Sequence, residues 1–423
     1  MKNPLSAKKI GLLGPFGYGN LGDAAIQQAM IQHIRRYCPE ARIFGFSLNP
    51  EDTKQRHGIP SYAIIRRPSR LDTLLEKAPE RVRYQTLFRW AVRILVKMPE
   101  EVAHIVRSFF VLKGFDMLIV SGGGQLDDYW GGTWGQPFTL FKWGLIARLR
   151  RAKYLFVSVG AEHVRAARSW SFIKRALSLA SYRSYRDESS KSSVRAVGYD
   201  SSSDAVYPDL AFSLQAKQAP VPAKDDQAHL VVGIGPMAYF HPRSWPERNE
   251  LRYKTYLKQL APFVIWLTQT GHRVLFLASQ SVHDCWAIHD LRQIMNSENE
   301  KISEGMILQP TIHTVDDLME QLSMTDVVVA SRLHGVILPY LLRKPVLALS
   351  YSEKINVLMD DLGQSEYCMD INHFEVDCLK GKFLSMVSNR ESISRRINQR
   401  VNDYQCLLDE QYERLFAPVL HGD

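Results

Sequence analysis

The arrangement of apolar runs along the chain constrains its fold more than any other feature. Short apolar runs of the kind that form buried strands alternate with longer stretches of helical periodicity. The strand-like run Lys9–Gly14 precedes the amphipathic helical stretch Asn20–Tyr37, and the strand pattern recurs at Asp116–Ser121 and Tyr154–Gly160. Such alternation is typical of β-α-β units, in which helices cover a mainly parallel sheet. The sequence therefore predicts an α/β protein.

The alternation breaks once and then restarts. The segment Gln215–Gln227 is rich in proline, alanine and charge, and a new strand-like run begins at His229. This pattern predicts an N-terminal domain over 1–214, a linker over 215–228 and a C-terminal domain over 229–423 that ends in a helix. We expect two Rossmann-like domains facing a cleft, with ligands beyond the carboxyl ends of the strands.

Composition narrows the classes of function. The 423 residues carry a formal net charge of +9, which suits anionic partners, and the five scattered cysteines fit neither a disulfide framework nor a metal site. The polar N-terminus and the lack of a long apolar run predict a cytoplasmic protein. The segment Arg81–Lys97 is cationic without an acid. It fits a peripheral helix on the inner, anionic face of the membrane, or a helix packed on its domain with solvated cations.

The first glycine-rich loop follows the first predicted strand. It contains Gly17, Gly19 and Gly22 in the pattern G-x-G-x-x-G, which a dinucleotide site also uses. Two residues separate the strand from the first glycine, and the second strand does not end on an acid, so both features disfavour a nicotinamide or flavin site. Asn20 can cap the following helix and Asp23 complements its dipole. The loop is predicted to bind substrate, the alternative being a plain strand–helix turn.

Three further loops of the N-terminal half carry candidate binding residues. Gly123 and Gly124 follow a buried strand, where glycines allow a ligand or another backbone to approach closely. Asp128 can orient sugar hydroxyls or be a solvated acid. Arg186 can hold a carboxylate or phosphate, or pair with the aspartate next to it. Asp209 either faces the cleft or makes a turn.

The strongest cluster lies in the C-terminal half. Ser331, Arg332 and His334 follow a strand-like run and open the next predicted helix, and Lys354 comes just past the following strand. Arg332 and His334 are two residues apart, so in an extended loop they point the same way. A cation and an imidazole at a helix N-terminus suit a phosphate pocket with a proton donor. A lone histidine is usually structural, but convergence of these side chains favours a functional site.

In their order, these segments resemble the polysaccharide pyruvyl transferase family. The matching motifs are G-x-G-N-x-G-D at 17–23, G-G-G at 122–124, R-D-x-x-S at 186–190, D-x-A-F at 209–212, S-R-L-H at 331–334 and Y-x-x-K at 351–354. The S-R-L-H segment departs from the family's pattern, S-x-R-L-H, because it lacks the residue between the serine and the arginine. The family's usual glycine-rich run after the central strand is replaced at 157–164.

The resemblance implies a glycosyltransferase-B-like fold and a specific reaction. Phosphoenolpyruvate is the donor, no further cofactor or metal is needed, and a pyruvyl group passes to two hydroxyls of one sugar as a cyclic ketal with release of phosphate. Arg186, Arg332 and Lys354 would hold the donor, and His334 would act as acid or base. The N-terminal domain would be the acceptor side and the C-terminal domain the donor side. The acceptor is expected to be a precursor of a surface or exopolysaccharide of the cell envelope, lipid-linked or free.

Two other functions stay open at this point. A nucleotide-sugar-dependent glycosyltransferase has the same fold, although the chain lacks the late pair of glutamates that several such enzymes use to hold the donor. A non-catalytic basic protein that binds a membrane or nucleic acid is the third reading. The chain has no motif of interleaved basic and aromatic residues, so we expect no nucleic-acid partner.

Overall fold

A computed structural model describes residues 7–66, 98–129, 131–162, 164–215, 229–245, 247–298, 303 and 305–421. The described residues form two compact units, each built on one sheet. The first unit comprises the described parts of 1–18, 34–209 and 418–423, and the second comprises those of 19–33 and 210–417. The basic segment 81–97 and all but the first residue of the predicted linker lie outside the described residues.

The sheet of the first unit has seven parallel strands in the order β3-β2-β1-β4-β5-β6-β7. The strands are β1 (Lys9–Leu13), β2 (Arg42–Ser47), β3 (Ser61–Ala63), β4 (Met117–Ser121), β5 (Lys153–Val159), β6 (Tyr182–Tyr185) and β7 (Ala205–Val206). The central strands β1 and β4 are almost completely buried, as expected of strands covered by helices on both faces. The chain reverses direction across the sheet between β1 and β4, which is the switch point of a doubly wound fold.

The second sheet repeats this topology with six parallel strands in the order β10-β9-β8-β11-β12-β13. The strands are β8 (Val231–Gly235), β9 (Arg273–Phe276), β10 (Ile307–Leu308), β11 (Val327–Ala330), β12 (Val346–Ser350) and β13 (Cys368–Asp370). Here the switch point lies between β8 and β11. Both sheets therefore have Rossmann-like strand order, which confirms the predicted fold class.

Helices connect the strands in both units. Those that begin before residue 200 are α1 (Leu21–Tyr37), α2 (Pro50–His57), α3 (Met98–Val111), α4 (Gln136–Leu149), α5 (Ala167–Leu179) and α6 (Glu188–Ala196). Those that follow are α7 (Glu250–Gln269), α8 (His283–Ser297), α9 (Val315–Ser323), α10 (Leu333–Leu341), α11 (Glu353–Asp361), α12 (Val376–Ser388) and α13 (Arg390–His421). None of the described helices combines the length and hydropathy that a membrane span requires.

The helix α1 belongs to the second unit over most of its length, although it connects two strands of the first sheet. Its Gln28 donates to Asp316 (2.9 Å), and its His33 ring stacks on Tyr412 of α13 at 4.1 Å between ring centroids. The predicted domain boundaries are linear, whereas the compact units exchange the segment 19–33. The second half of the first glycine-rich loop is consequently part of the second unit.

Candidate active site

The candidate site of the second unit is built on the loop that links β11 to α10. Ser331 is fully buried, and its hydroxyl shares a hydrogen bond of 3.0 Å with that of Tyr256 on α7. Arg332 is the N-cap residue of α10 in extended conformation, and its side chain does not cap the helix. The amide groups of the first turn therefore keep their capacity to bind an anion. His334 lies in that first turn.

Arg332 has a carboxylate partner that the sequence did not reveal. Its Nε donates to both oxygens of Asp284 (2.9 Å each), and its Nη2 donates to Asp284 Oδ1 (2.7 Å). The Asp284 side chain is 1% exposed and that of Arg332 is 21% exposed. Burial opposes the charge of the guanidinium, but Asp284 raises the pKa of Arg332 above its ordinary value. The pair occupies one edge of the guanidinium, and the Nη1 corner lies outside it.

The loop after β9 holds Asp284 in place and also pairs with the backbone of the glycine-rich loop. Asp284 accepts a hydrogen bond from the backbone N–H of Gln280 (2.8 Å). The N–H of Leu21 donates to the carbonyl of Ser279 (2.9 Å), and Asn20 and Gln280 form an antiparallel bridge. The backbone of the glycine-rich loop is thus paired with the loop that positions the partner of Arg332.

Within the glycine-rich loop, the predicted polar side chains are organised around each other. The Asn20 amide donates to Asp23 (2.7 Å), and its oxygen accepts from the N–H of Gly22 (3.1 Å). Asn20 therefore caps α1 at its first turn, and Asp23 orients the Asn20 amide. Asn20 precedes α1 and Asp23 lies in its first turn.

All three glycines are required because protein atoms occupy the place of a side chain. A Cβ at Gly22 would overlap the imidazole ring of His334, and a Cβ at Gly19 would overlap the hydroxyl of Ser281. Gly19 also has a φ of 71°, which side chains rarely adopt. The third, Gly17, lies in the first unit, with a φ of 101° and the backbone of Asn49 2.7 Å from its missing Cβ. Gly22 is the glycine that lets the first loop close on His334.

Lys354 lies on the neighbouring strand-end loop. It is in the first turn of α11, and its ammonium group is 5.5 Å from the centre of the Tyr351 ring. The N-cap residue Ser352 does not cap this helix with its side chain. In the same sheet, α10 and α11 both follow adjacent strands, so their N-termini lie at the same edge.

A groove of about 650 Å³ opens beside Lys354, between the start of α11 and the end of β13. Its lining is mostly carboxylate, amide and hydroxyl groups, with one aromatic ring. The members are Ser350, Tyr351, Ser352, Glu353, Asn356, Val357, Asp360, Ser365, Cys368, Met369, Asp370 and Asn372. Groups of this kind exchange hydrogen bonds with hydroxyls, and an aromatic ring covers an apolar face of a small ligand. The groove is chemically suited to a polyhydroxylated ligand.

Arg186 of the first unit has very different surroundings. Its side chain is 7% exposed and lies near three carboxylates: Asp187 at 3.3 Å, Asp209 at 3.5 Å and Glu162 at 3.7 Å. Burial opposes its charge, but Asp209 and the other two acids raise the pKa of the guanidinium above its ordinary value. The cluster has a net charge of about −2 when all four groups are ionised. This balance does not favour an anion at Arg186 and agrees with the alternative of a structural ion pair.

The other predicted site residues of the first unit make contacts with the backbone of neighbouring loops. Asp128 accepts hydrogen bonds from the N–H groups of Arg165 and Ala166 (3.0 Å each), just before α5. Burial alone would raise the pKa of Asp128, but these donors outweigh it and hold the pKa below its usual range. Gly123 has a φ of 68°, and its carbonyl accepts a hydrogen bond from the N–H of Gly160 (2.8 Å). A Cβ added at Gly124 would meet the Asp127 carboxylate at 3.9 Å, an ordinary contact, so this position has room for a side chain.

Sequence reasoning missed the residues that support the predicted ones. Asp284, Tyr256 and the Ser279–Gln280 loop were not singled out, and neither was Glu162 beside Arg186. A signal was available for one of them. Ser279 and Gln280 directly follow an apolar, strand-like run at 274–278 in the same half of the chain as Ser331, and strand ends of one parallel sheet meet at one edge. Over the described residues, no group of three metal-ligating side chains is present.

Comparison with known proteins gives one family and one fold. The sequence model of the family described as polysaccharide pyruvyl transferase matches residues 20–353. No curated protein matches the chain significantly.

Three solved structures illustrate the fold. UDP-GlcNAc 2-epimerase from Methanocaldococcus jannaschii has a TM-score of 0.55 and 11% identity, over 90% of this chain and 92% of that one. UDP-GlcNAc 2-epimerase from Neisseria meningitidis, bound to UDP-GlcNAc, has a TM-score of 0.53 and 13% sequence identity, over 96% of this chain and 100% of that one. The N-terminal domain of trehalose-6-phosphate phosphatase from Candida albicans has a TM-score of 0.55 and 11% sequence identity, over 98% of each chain. At these identities the likeness concerns the fold alone, which is glycosyltransferase-B-like.

Proposed function

The chain belongs to the polysaccharide pyruvyl transferase family, a family of transferases, and on that premise we propose that it moves the pyruvyl group of phosphoenolpyruvate onto two hydroxyls of one sugar in a polysaccharide precursor. The products are a cyclic ketal and inorganic phosphate. The observation that carries the proposal is the assembly at the N-terminus of α10 in the second unit, where Gly22 of the glycine-rich loop packs against His334, two residues from Arg332.

The donor is an anion at both ends, with a phosphate and a carboxylate. The first-turn amides of α10, the Nη1 corner of Arg332 and the ammonium of Lys354 are the cationic or donor groups at this edge of the second sheet. Asp284 balances one charge and fixes the guanidinium in a plane, so that the arginine is a rigid donor. We assign the phosphoenolpyruvate site to this edge.

The reaction then needs a proton at carbon. Protonation of the methylene carbon makes the neighbouring carbon electrophilic, and the first sugar hydroxyl adds there while losing its proton. The C–O bond to phosphate breaks, the second hydroxyl adds to the same carbon, and its proton leaves with phosphate or solvent. His334 is the titratable group proposed to give the proton to carbon or to take one from a hydroxyl. The polar groove beside Lys354 is the proposed place for the saccharide.

Phosphate release tests the proposal. The protein is incubated with phosphoenolpyruvate and a panel of galactosides and mannosaminides, and inorganic phosphate is measured. We expect acceptor-dependent release, and His334→Gln should lower the turnover by about 10²–10⁴-fold while the melting temperature stays within a few degrees. His373→Gln, an exposed histidine of the same unit, is the matched control and should keep full activity.

The alternative function makes an opposite prediction. The solved structures named above include one bound to UDP-GlcNAc, and a nucleotide-sugar-dependent glycosyltransferase would be stabilised against heat by UDP. Phosphoenolpyruvate, and not UDP, should raise the melting temperature of this protein. If UDP stabilises the protein, phosphoenolpyruvate does not, and no acceptor leads to phosphate release, the function is glycosyl transfer and not pyruvyl transfer.

A further inference from the structure

The helix α3 (Met98–Val111) of the first unit presents its apolar side to solvent. Met98, Val102, Val106 and Phe110 recur every four residues, and each is more than half exposed, from 51% at Val106 to 65% at Phe110. Residues four apart lie on one face of a helix, so these side chains form a continuous stripe. We call these four residues the α3 stripe. Surface helices of globular proteins normally turn such a stripe inward.

Polar contacts on the opposite side of α3 fix this orientation. Glu101 receives the ammonium of Lys142 on α4 at 2.7 Å, and the side chain of that lysine is 4% exposed. His104 is buried and hydrogen-bonds the carbonyl of Ala63 (3.2 Å), and Glu100 pairs with Arg66. Rotating the helix to bury the α3 stripe would strand these groups without partners, which costs several kcal/mol. The apolar side is therefore held outward by the inner contacts.

The neighbouring helix extends the apolar surface. On α4, Leu145 and Leu149 are 42% and 63% exposed. Arg150 joins the two helices, because its Nε donates to the carbonyl of Phe109 (2.6 Å) and its guanidinium lies 3.7 Å from the Phe109 ring centre. Exposed apolar side chains on two adjoining helices mark an interaction surface rather than isolated surface residues.

Among the described residues of α3, α4 and the turns that follow them, the exposed charged side chains are all positive. These cations are Arg107 of α3, Lys113 after it, Arg148 of α4, and Arg151 and Lys153 after α4. The two acids of α3, Glu100 and Glu101, are paired with Arg66 and Lys142 and are not available to balance them. An apolar stripe bordered by cations is complementary to a bilayer that contains anionic phospholipids, with the apolar side chains at the acyl boundary and the cations at the headgroups.

We propose that the α3 stripe and Leu149 of α4 form the surface by which the protein lies on a membrane with anionic phospholipids. A second copy of the chain is a poorer occupant, because a two-fold interface would bring the same set of cations face to face. At 1.5 Å per residue, the 14 residues of α3 give a contact about 21 Å long that lies flat on the membrane. The proposal does not depend on the proposed reaction, since binding to lipid needs no substrate.

Vesicle sedimentation tests it with the full-length protein. Two vesicle compositions are compared, phosphatidylcholine mixed with phosphatidylglycerol and phosphatidylcholine alone. We expect binding to the anionic vesicles that weakens with added salt. The triple variant Val102→Ser, Val106→Ser, Phe110→Ser should bind on the order of tenfold or more weakly. The matched control removes three exposed leucines of the second unit, Leu251→Ser, Leu384→Ser and Leu407→Ser, and should bind like the unchanged protein.

Other outcomes would overturn the proposal. Equal binding of the stripe variant and the unchanged protein would show that lipid is not held by this surface. A fall of several degrees in melting temperature for the stripe variant, without vesicles, would mean that the stripe is covered within the protein. A dimer in sedimentation equilibrium that the stripe variant converts to monomer would assign the surface to a second copy. Phosphate release from a soluble acceptor is measured alongside, so that loss of the reaction is recognised separately.

Discussion

Asparagine in place of Asp284 perturbs the pair that is proposed to hold Arg332 toward the donor. The substitution keeps an acceptor oxygen and the shape of the side chain but removes the charge. Breaking a fully buried ion pair on one side costs about 3–5 kcal/mol. The Asp284 carboxylate is 1% exposed, but the Arg332 side chain keeps 21% of its exposure and with it some hydration. We therefore expect a loss of about 2–4 kcal/mol, which corresponds to roughly 10 °C in the melting temperature of a unit of this size.

Activity should fall as well, because a guanidinium without its partner is no longer fixed in one plane. A displacement of the order of 1 Å in a positioning group can cost about 10²-fold in rate, so kcat/KM for phosphoenolpyruvate should fall by about 10–100-fold. A double-mutant cycle with Arg332→Gln measures the pair directly. We expect a coupling energy of at least about 1 kcal/mol in urea unfolding, and additive effects would refute the pairing.

The first unit supplies a matched control. Arg183 donates through its Nε to both oxygens of Asp204 (3.0 and 3.2 Å), with side-chain exposures of 23% and 4%, close to those of the Arg332–Asp284 pair. Asp204→Asn should cost a similar amount of stability and leave kcat/KM unchanged at a temperature well below the unfolding transition. If both variants lose activity to the same extent, the effect of Asp284 is one of stability and the positioning argument fails.

Two further predictions concern single residues. Gly22→Ala should abolish most phosphate release, because its Cβ overlaps the His334 ring, whereas Gly381→Ala, with open space around it on α12, should leave both activity and melting temperature nearly unchanged. Equal activity of the two variants would contradict the contact. Burial lowers the pKa of His57 to about 4, so the unfolded chain binds an additional proton between about pH 6.5 and 4 and stability falls as the pH falls through this window. The loss is at most about 3 kcal/mol because the ring keeps some solvent contact, and His57→Gln should reduce the slope measured by urea unfolding at several pH values.

The elements of the fold were predictable because each signal is local. A parallel strand covered on both faces is a short apolar run, and the predicted strand Asp116–Ser121 differs from β4 by one residue. The predicted helical stretch Asn20–Tyr37 likewise matches α1 except at its first residue. The assignment of α1 to the second unit was not predictable, because it depends on contacts such as the stack of His33 on Tyr412, which lie far apart in the chain.

Only those site residues that lie in loops directly after predicted strands could be found from the sequence. The loop of Arg332 and His334 follows a strand, and that position marks it. Its partner Asp284 is 48 residues away and lies inside α8, where an aspartate has no distinctive sequence signal. The outward face of α3 is a similar case. Periodicity shows that a helix has an apolar side but not which side faces the protein, and here the inner contacts of Glu101 and His104 decide it.

Arg186 and Arg332 were predicted for the same role, but the net charge of their surroundings differs. Arg186 is surrounded by three carboxylates within 3.7 Å, so an arriving phosphate would meet a net negative charge in a buried place, where charges are weakly screened. Arg332 faces one carboxylate, and the pair is neutral with a corner of the guanidinium outside it. The first-turn amides of α10 then add a favourable field for an anion. This difference is the physical reason for proposing the donor site in the second unit.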